Sequence, residues 1–119
     1  MPSKTDLVRS YFGAYRSKDR ALVERLLTDD FTFTSPYDDA IDKSEYFKRC
    51  WPNSERLATN VLETIVEHGD DAPVQYKCVT NEGKQFRNVE ILTFDGERIR
   101  EVKVYFGAAY KDDKFLKQQ

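Results

Sequence analysis

Hydrophobic positions recur along this chain with two different periods, and the change of period divides it into parts. From Thr5 to Ser17, Leu7, Val8, Tyr11, Phe12, Ala14 and Tyr15 recur at three- and four-residue intervals, which predicts an amphipathic helix capped by Ser3 or Thr5. Gly13 weakens that helix by about 1 kcal/mol relative to alanine, so close packing is expected beside it. A second helix is predicted over 19–27, started by Asp19, with Leu22, Val23, Leu26 and Leu27 apolar; the short gap makes the two a helical hairpin ended by Thr28-Asp29-Asp30. Phe and Thr alternate from Phe31 and stop at Pro36, the pattern of a short strand, and Tyr37–Ala40 reads as a loop. Asp42 with Glu45 three residues on has the capping-box spacing, opening a third helix over 43–51 that Pro52 closes.

Beyond Pro52 the period becomes two. Strands are predicted near 58–67, 73–81, 85–94 and 98–106, with turns at Gly69-Asp70-Asp71, Asn81-Glu82-Gly83 and Asp95-Gly96. The charged tail from Lys111 is expected to be loose or a short helix. Helices segregated against one face of a curved antiparallel β-meander make an α+β domain, and a bent sheet closing over helices leaves a pocket at its open end.

The strand before Asp95-Gly96 breaks its own pattern. Phe86, Asn88, Glu90, Leu92 and Phe94 share one face, so two polar side chains lie where apolar ones are expected. That face is either partly open to water or lines a cavity in which a carboxyl is wanted. After the turn, Val102, Val104 and Phe106 share a face, and Glu101, Lys103 and Tyr105 point the other way.

Bulk composition narrows the classes. The 119 residues suffice for one domain spanning 1–119 and not for two. A net charge of −2 provides no basic face for nucleic acid. No apolar run approaches the ~18 residues of a membrane span, and the N-terminus lacks a hydrophobic leader, so a cytoplasmic location is expected. Cys50 and Cys78 lack metal-site spacing and read as small buried thiols. A single histidine, His68, excludes mechanisms that need a pair.

Three segments, LVRSYFGAYRSKDRALVERLL, TDDFTFTSPYDD and TFDGERIREVKVYFG, together resemble the NTF2-like superfamily, most closely SnoaL-like domain proteins and their ketosteroid isomerase relatives. The resemblance implies a cystatin-like cone: three N-terminal helices packed on a curved antiparallel sheet. It also implies a pocket for a small apolar molecule, and chemistry without metal or cofactor. Such a domain is a proton-transfer isomerase, dehydratase or cyclase acting on a carbonyl compound, a binder without turnover, or an interaction module. The isomerases' helix-one tyrosine falls on Tyr11, and their second oxyanion donor, a carboxylic acid, on Glu90. Their general base stands just before the proline ending the first strand, which here is Ser35, so this chain departs from them; Asp38 or Asp39 offers a carboxylate nearby. SnoaL-like cyclases use a pocket histidine with an aspartate, but His68 sits at a strand end, outside the expected pocket. Glu90, Tyr11 and Asp38 are thus the catalytic candidates. Tyr15, Phe33, Ser35, Tyr37, Trp51, Tyr76, Asn88, Val104 and Phe106 are the ligand-binding ones, with one of Tyr11 and Tyr15 expected in the core and the other in the pocket. The outward sheet face around Lys103 and Tyr105 is, by the same resemblance, the expected homodimer surface.

Overall fold

The computed structural model describes residues 2–116. Helix α1 spans Lys4–Ser17 and begins at Ser3, whose hydroxyl accepts from the Asp6 amide while the Asp6 carboxylate takes the Ser3 amide in return. It buries Leu7, Val8, Tyr11, Phe12 and Ala14, one side of the expected periodicity. What packs beside Gly13 is the Arg16 guanidinium, which folds back over it to reach Asn60; an added Cβ would stand 3.3 Å from Arg16 Nη2. Helix α2, Arg20–Leu26, is capped by Asp19 and completes the helical hairpin.

Strand β1, Leu27–Ser35, begins directly after α2 and absorbs Thr28–Asp30, which the sequence pattern assigned to a helix stop. Most of the expected loop Tyr37–Ala40 instead belongs to strand β2, Asp38–Asp42, antiparallel to β1. Ser35 Oγ accepts from the Tyr37 amide and Thr34 Oγ1 from the Ala40 amide, so side chains satisfy the backbone of a hairpin too short to show a period. Helix α3, Lys43–Arg49, is capped by Asp42 and followed by a 3-10 helix over Trp51–Arg56 rather than ending cleanly at Pro52. Strands β3 (Leu57–Ile65), β4 (Asp71–Thr80), β5 (Gln85–Asp95) and β6 (Arg98–Lys111) make the meander. The tail forms β7, Lys114–Leu116, against β6 instead of a loose end or a helix; residues 117–119 lie outside the described residues.

The sheet runs β2-β1-β6-β5-β4-β3 with β7 also on β6, and it is mixed rather than purely antiparallel, because β1 and β6 pair in parallel. The helices are also not all N-terminal to the sheet, since α3 follows β1 and β2. Register shifts in β1, β3 and the β5–β6 pair mark bulges, the usual means of bending a sheet. The inner face of the bend holds Leu92, Phe94, Val102 and Ile99 against the α1–α2 hairpin and α3. Opposite it, Val89 and Tyr105 face outward as a cross-strand pair. No helix is long and apolar enough to cross a membrane.

Candidate functional site

The polar pair on the β5 face is covered, not open to water: Asn88 and Glu90 are each 6% exposed. Both line a cavity of about 620 Å³ at the open end of the cone, within the range of small-molecule sites. Its walls come from α1 (Tyr11, Phe12, Tyr15), the β1–β2 hairpin (Phe33, Ser35, Tyr37, Asp38), β4 (Tyr76, Cys78), β5 and β6 (Val104, Phe106). Arg49, Arg56, Glu82 and Lys84 add charged groups to that lining.

Glu90 is the only acidic residue in the buried set among the described residues, and no ion pair holds it. Burial in this apolar wall pushes its carboxyl up to about 7, while a hydrogen bond from Tyr76 pulls the other way. It therefore exchanges a proton near neutrality, as an acid–base group must. The register explains the neighbours: Val74 stands opposite Glu90 on β4 and Val104 opposite it on β6, with Tyr76 two residues along β4 on the same face.

Across the cavity stands a chain of three hydroxyls. Tyr46, on α3 and fully buried, lies 2.7 Å from the Tyr11 hydroxyl and also hydrogen-bonds the Tyr15 hydroxyl. Tyr11 and Tyr15 both line the cavity; Tyr46 is behind them. Three O–H donors with two bonds among them leave one proton over. Tyr46 has no exposed surface on which to strand a proton, so it accepts from one neighbour and donates to the other. The spare donor therefore sits on Tyr11 or Tyr15, facing the cavity. Burial raises all three phenols well above their ordinary value, with nearby Glu90 adding to the effect on Tyr11 and Tyr15, so they remain neutral donors.

Asp38 lines the cavity and Asp39 is exposed. The Asp38 carboxylate is tied down, with Arg49 Nη2 2.8 Å from Oδ1 and the Ser35 hydroxyl donating to Oδ2 at 3.0 Å. At Oδ1 the arginine supplies charge but not an aligned hydrogen bond. Ser35 donates to the Asp38 carboxylate and accepts from the Tyr37 amide, so its hydroxyl is held within the hairpin. Trp51 is set back from the cavity; its ring packs edge-on against Tyr15 at 4.8 Å. Tyr37 is half-exposed over Phe106 at the mouth. His68 is exposed beside its turn. Cys50 and Cys78 are free thiols on the cavity wall, each pushed up to about 12 chiefly by burial, and so protonated. Sequence reasoning did not pick out Tyr46 or Asn60 for the site. The available signal for Tyr46 was a phenol on a core-facing helix side, which must find a hydroxyl partner. Among the described residues no three His, Cys, Asp or Glu side chains gather as a metal site requires.

The SnoaL-like domain family matches residues 8–102, from the first helix into the last long strand. The chain belongs to that family. No curated protein matches this SnoaL-like chain. Among solved structures it is similar to an NTF2-like protein of unknown function from Cytophaga hutchinsonii, at 21% identity and TM-score 0.74, over 90% of this chain and 92% of that one. It is also similar to a Jannaschia protein described as a SnoaL-like polyketide cyclase (14% identity, TM-score 0.71, 85% and 83% covered). A third likeness is to an LEH-like epoxide hydrolase from M. tuberculosis (17%, TM-score 0.69, 85% and 80%). Likenesses this distant speak for the SnoaL-like fold, which carries many chemistries.

Proposed function

We propose that this SnoaL-like protein binds a modest apolar carbonyl compound in its cavity and moves a proton on it without a cofactor. The observation that carries this reading is Glu90, a buried carboxyl outside the ion pairs of the described residues, near a hydroxyl chain with one donor to spare. The carbonyl oxygen accepts from Tyr11 or Tyr15. The Glu90 carboxylate takes the proton from the adjacent carbon, and the electron pair of that C–H bond moves onto the oxygen as an enolate, held by the phenol. Return of the proton to a more distant carbon is isomerisation; loss of a β-hydroxyl is dehydration; attack on a second carbonyl is cyclisation. Ser35 in place of a carboxylate, and Asp38 engaged by Arg49, leave Glu90 as the base.

The test is a screen of enones, β-hydroxy-ketones and aromatic polyketide-like compounds for turnover and thermal shift, comparing wild type with Glu90→Gln. Turnover lost in the variant, with the shift retained, supports the reading. A shift without turnover in either protein overturns it in favour of a binder, the reading that Asp38's engagement also accommodates. The homodimer implied by the family is proposed through the outward face centred on Val89 and Tyr105. Sedimentation of the wild type against Tyr105→Glu tests it, a monomeric wild type being the overturning result.

A further inference from the structure

Asn88 is buried on the cavity wall directly opposite Tyr76, and both of its amide ends are occupied. Its Nδ2 donates to the Tyr76 oxygen at 3.2 Å. Its Oδ1 accepts from the Gly107 amide at 3.4 Å, at the bulge where β5 and β6 lose register. The second bond fixes the first, because an amide N–H can meet only the oxygen end of the asparagine, leaving the NH₂ end toward Tyr76. A phenol oxygen that accepts from Asn88 keeps its own proton for another acceptor, and the carboxyl beside it on the same face, diagonal across the β4–β5 pair, is Glu90.

We propose that Asn88 is a positioning residue: by donating to the Tyr76 oxygen it commits the Tyr76 proton to the Glu90 carboxylate. The β5–β6 bulge thus sets the state of the acid–base group through Gly107, Asn88 and Tyr76 in sequence. This deepens the proton-transfer reading and rests on it only for its biological use, since the relay itself concerns Glu90 with or without a substrate. The other titratable groups around Glu90 are Tyr11 and Tyr15 on α1, Cys78 on β4 and Cys50 after α3, while β6 presents only Val104. All four are held neutral by burial, which leaves the Tyr76 hydroxyl as the neighbouring donor that favours the charged carboxylate.

The experiment is a titration of the Glu90 carboxyl carbon by NMR in glutamate-labelled protein, assigned with Glu90→Gln. Wild type, Asn88→Leu, Tyr76→Phe and the double variant are compared, Leu keeping the branched shape of Asn and Phe the ring of Tyr. Loss of the donor to the charged carboxylate predicts a midpoint raised by roughly one pH unit in Tyr76→Phe, a smaller rise in Asn88→Leu, which keeps the Tyr76 hydroxyl but no longer fixes it, and no further rise in the double variant over Tyr76→Phe. A midpoint unmoved in Asn88→Leu, or separate shifts that add in the double variant, overturns the relay. Should Asn88→Leu fail to fold, Asn88→Ser is read in its place; it still offers the Gly107 amide a polar group but falls short of the Tyr76 oxygen. Turnover is measured separately. Coupled midpoints in a protein that turns nothing over would sink the catalytic reading and leave the relay standing; turnover with uncoupled midpoints would do the reverse.

Discussion

The Tyr11 and Tyr46 hydroxyl oxygens lie 2.7 Å apart, yet only Tyr11 of the two reaches the cavity. Tyr46 thus acts on a ligand only through its neighbours, and this gives it a distinct signature. Tyr46→Phe removes both internal bonds of the hydroxyl chain and leaves Tyr11 and Tyr15 free to rotate. It is expected to destabilise the fold by about 1–2 kcal/mol and to reduce kcat about tenfold, less than Tyr11→Phe and Tyr15→Phe combined, with KM nearly unchanged. Denaturant midpoints and steady-state kinetics on whichever carbonyl compound turns over measure both.

Glu90 makes stability depend on pH in a particular direction. Its folded carboxyl is raised from the ordinary 4.5 to about 7, so the folded state holds the proton more tightly than the unfolded chain. The resulting stability is fully present below 4.5 and is lost as pH rises through about 7, a difference of ~3 kcal/mol at most. Glu63 and Glu67, lowered by Arg87 and Thr5 respectively, pull the other way but are common to wild type and variant. Urea midpoints for wild type and Glu90→Gln should therefore converge near pH 4.5 and separate by pH 8, the variant being the more stable. Parallel curves across this range would mean that Glu90 is not buried as described.

Catalysis has the mirror-image profile. A base of this kind works only when deprotonated, so kcat/KM should climb through about pH 7 and level off above it. Glu90→Gln should lower turnover about 10²–10⁴-fold at pH 8 and remove that limb. Initial rates across pH 5–9 decide the matter.

Gly107 is predicted to be intolerant of any side chain. A Cβ there would fall 2.4 Å from the Arg87 carbonyl oxygen, which is backbone and has no means of swinging aside. Gly107→Ala should cost about 1–3 kcal/mol and displace the amide that orients Asn88. Thermal unfolding reads the first effect, and a raised Glu90 midpoint the second.

How far the sequence disclosed all this differs from residue to residue. Asn88 and Glu90 were legible because a period-two strand puts every second side chain on one face, so polar residues among Phe and Leu stand out. The helical hairpin and the Asp95-Gly96 turn were legible for similarly local reasons. Strand β2 was not, since five residues holding three aspartates and positive-φ Ala40 look like a turn; it is the Ser35 and Thr34 side chains that tie its hairpin together. The parallel β1–β6 pairing was illegible because nothing in a strand's own residues encodes the direction of a distant partner. Trp51, a ligand-binding candidate whose place before Pro52 also suited the core or the rim, starts the 3-10 helix and packs edge-on against Tyr15.

That parallel pairing also has a bearing on assembly. Leu27 meets Ile99, and Thr34 meets Lys103, across roughly 70 intervening residues. Phe33 pairs with Val102 and Thr34 with Lys103, so the wall they carry closes through a long loop whose entropy the local hairpin around Gly96 does not offset. During synthesis, the β1–β2 wall has no docking edge until translation has passed Lys103. The cavity is thus closed by a seam between strands far apart in the chain, and a lesion in that seam would loosen the cavity wall directly.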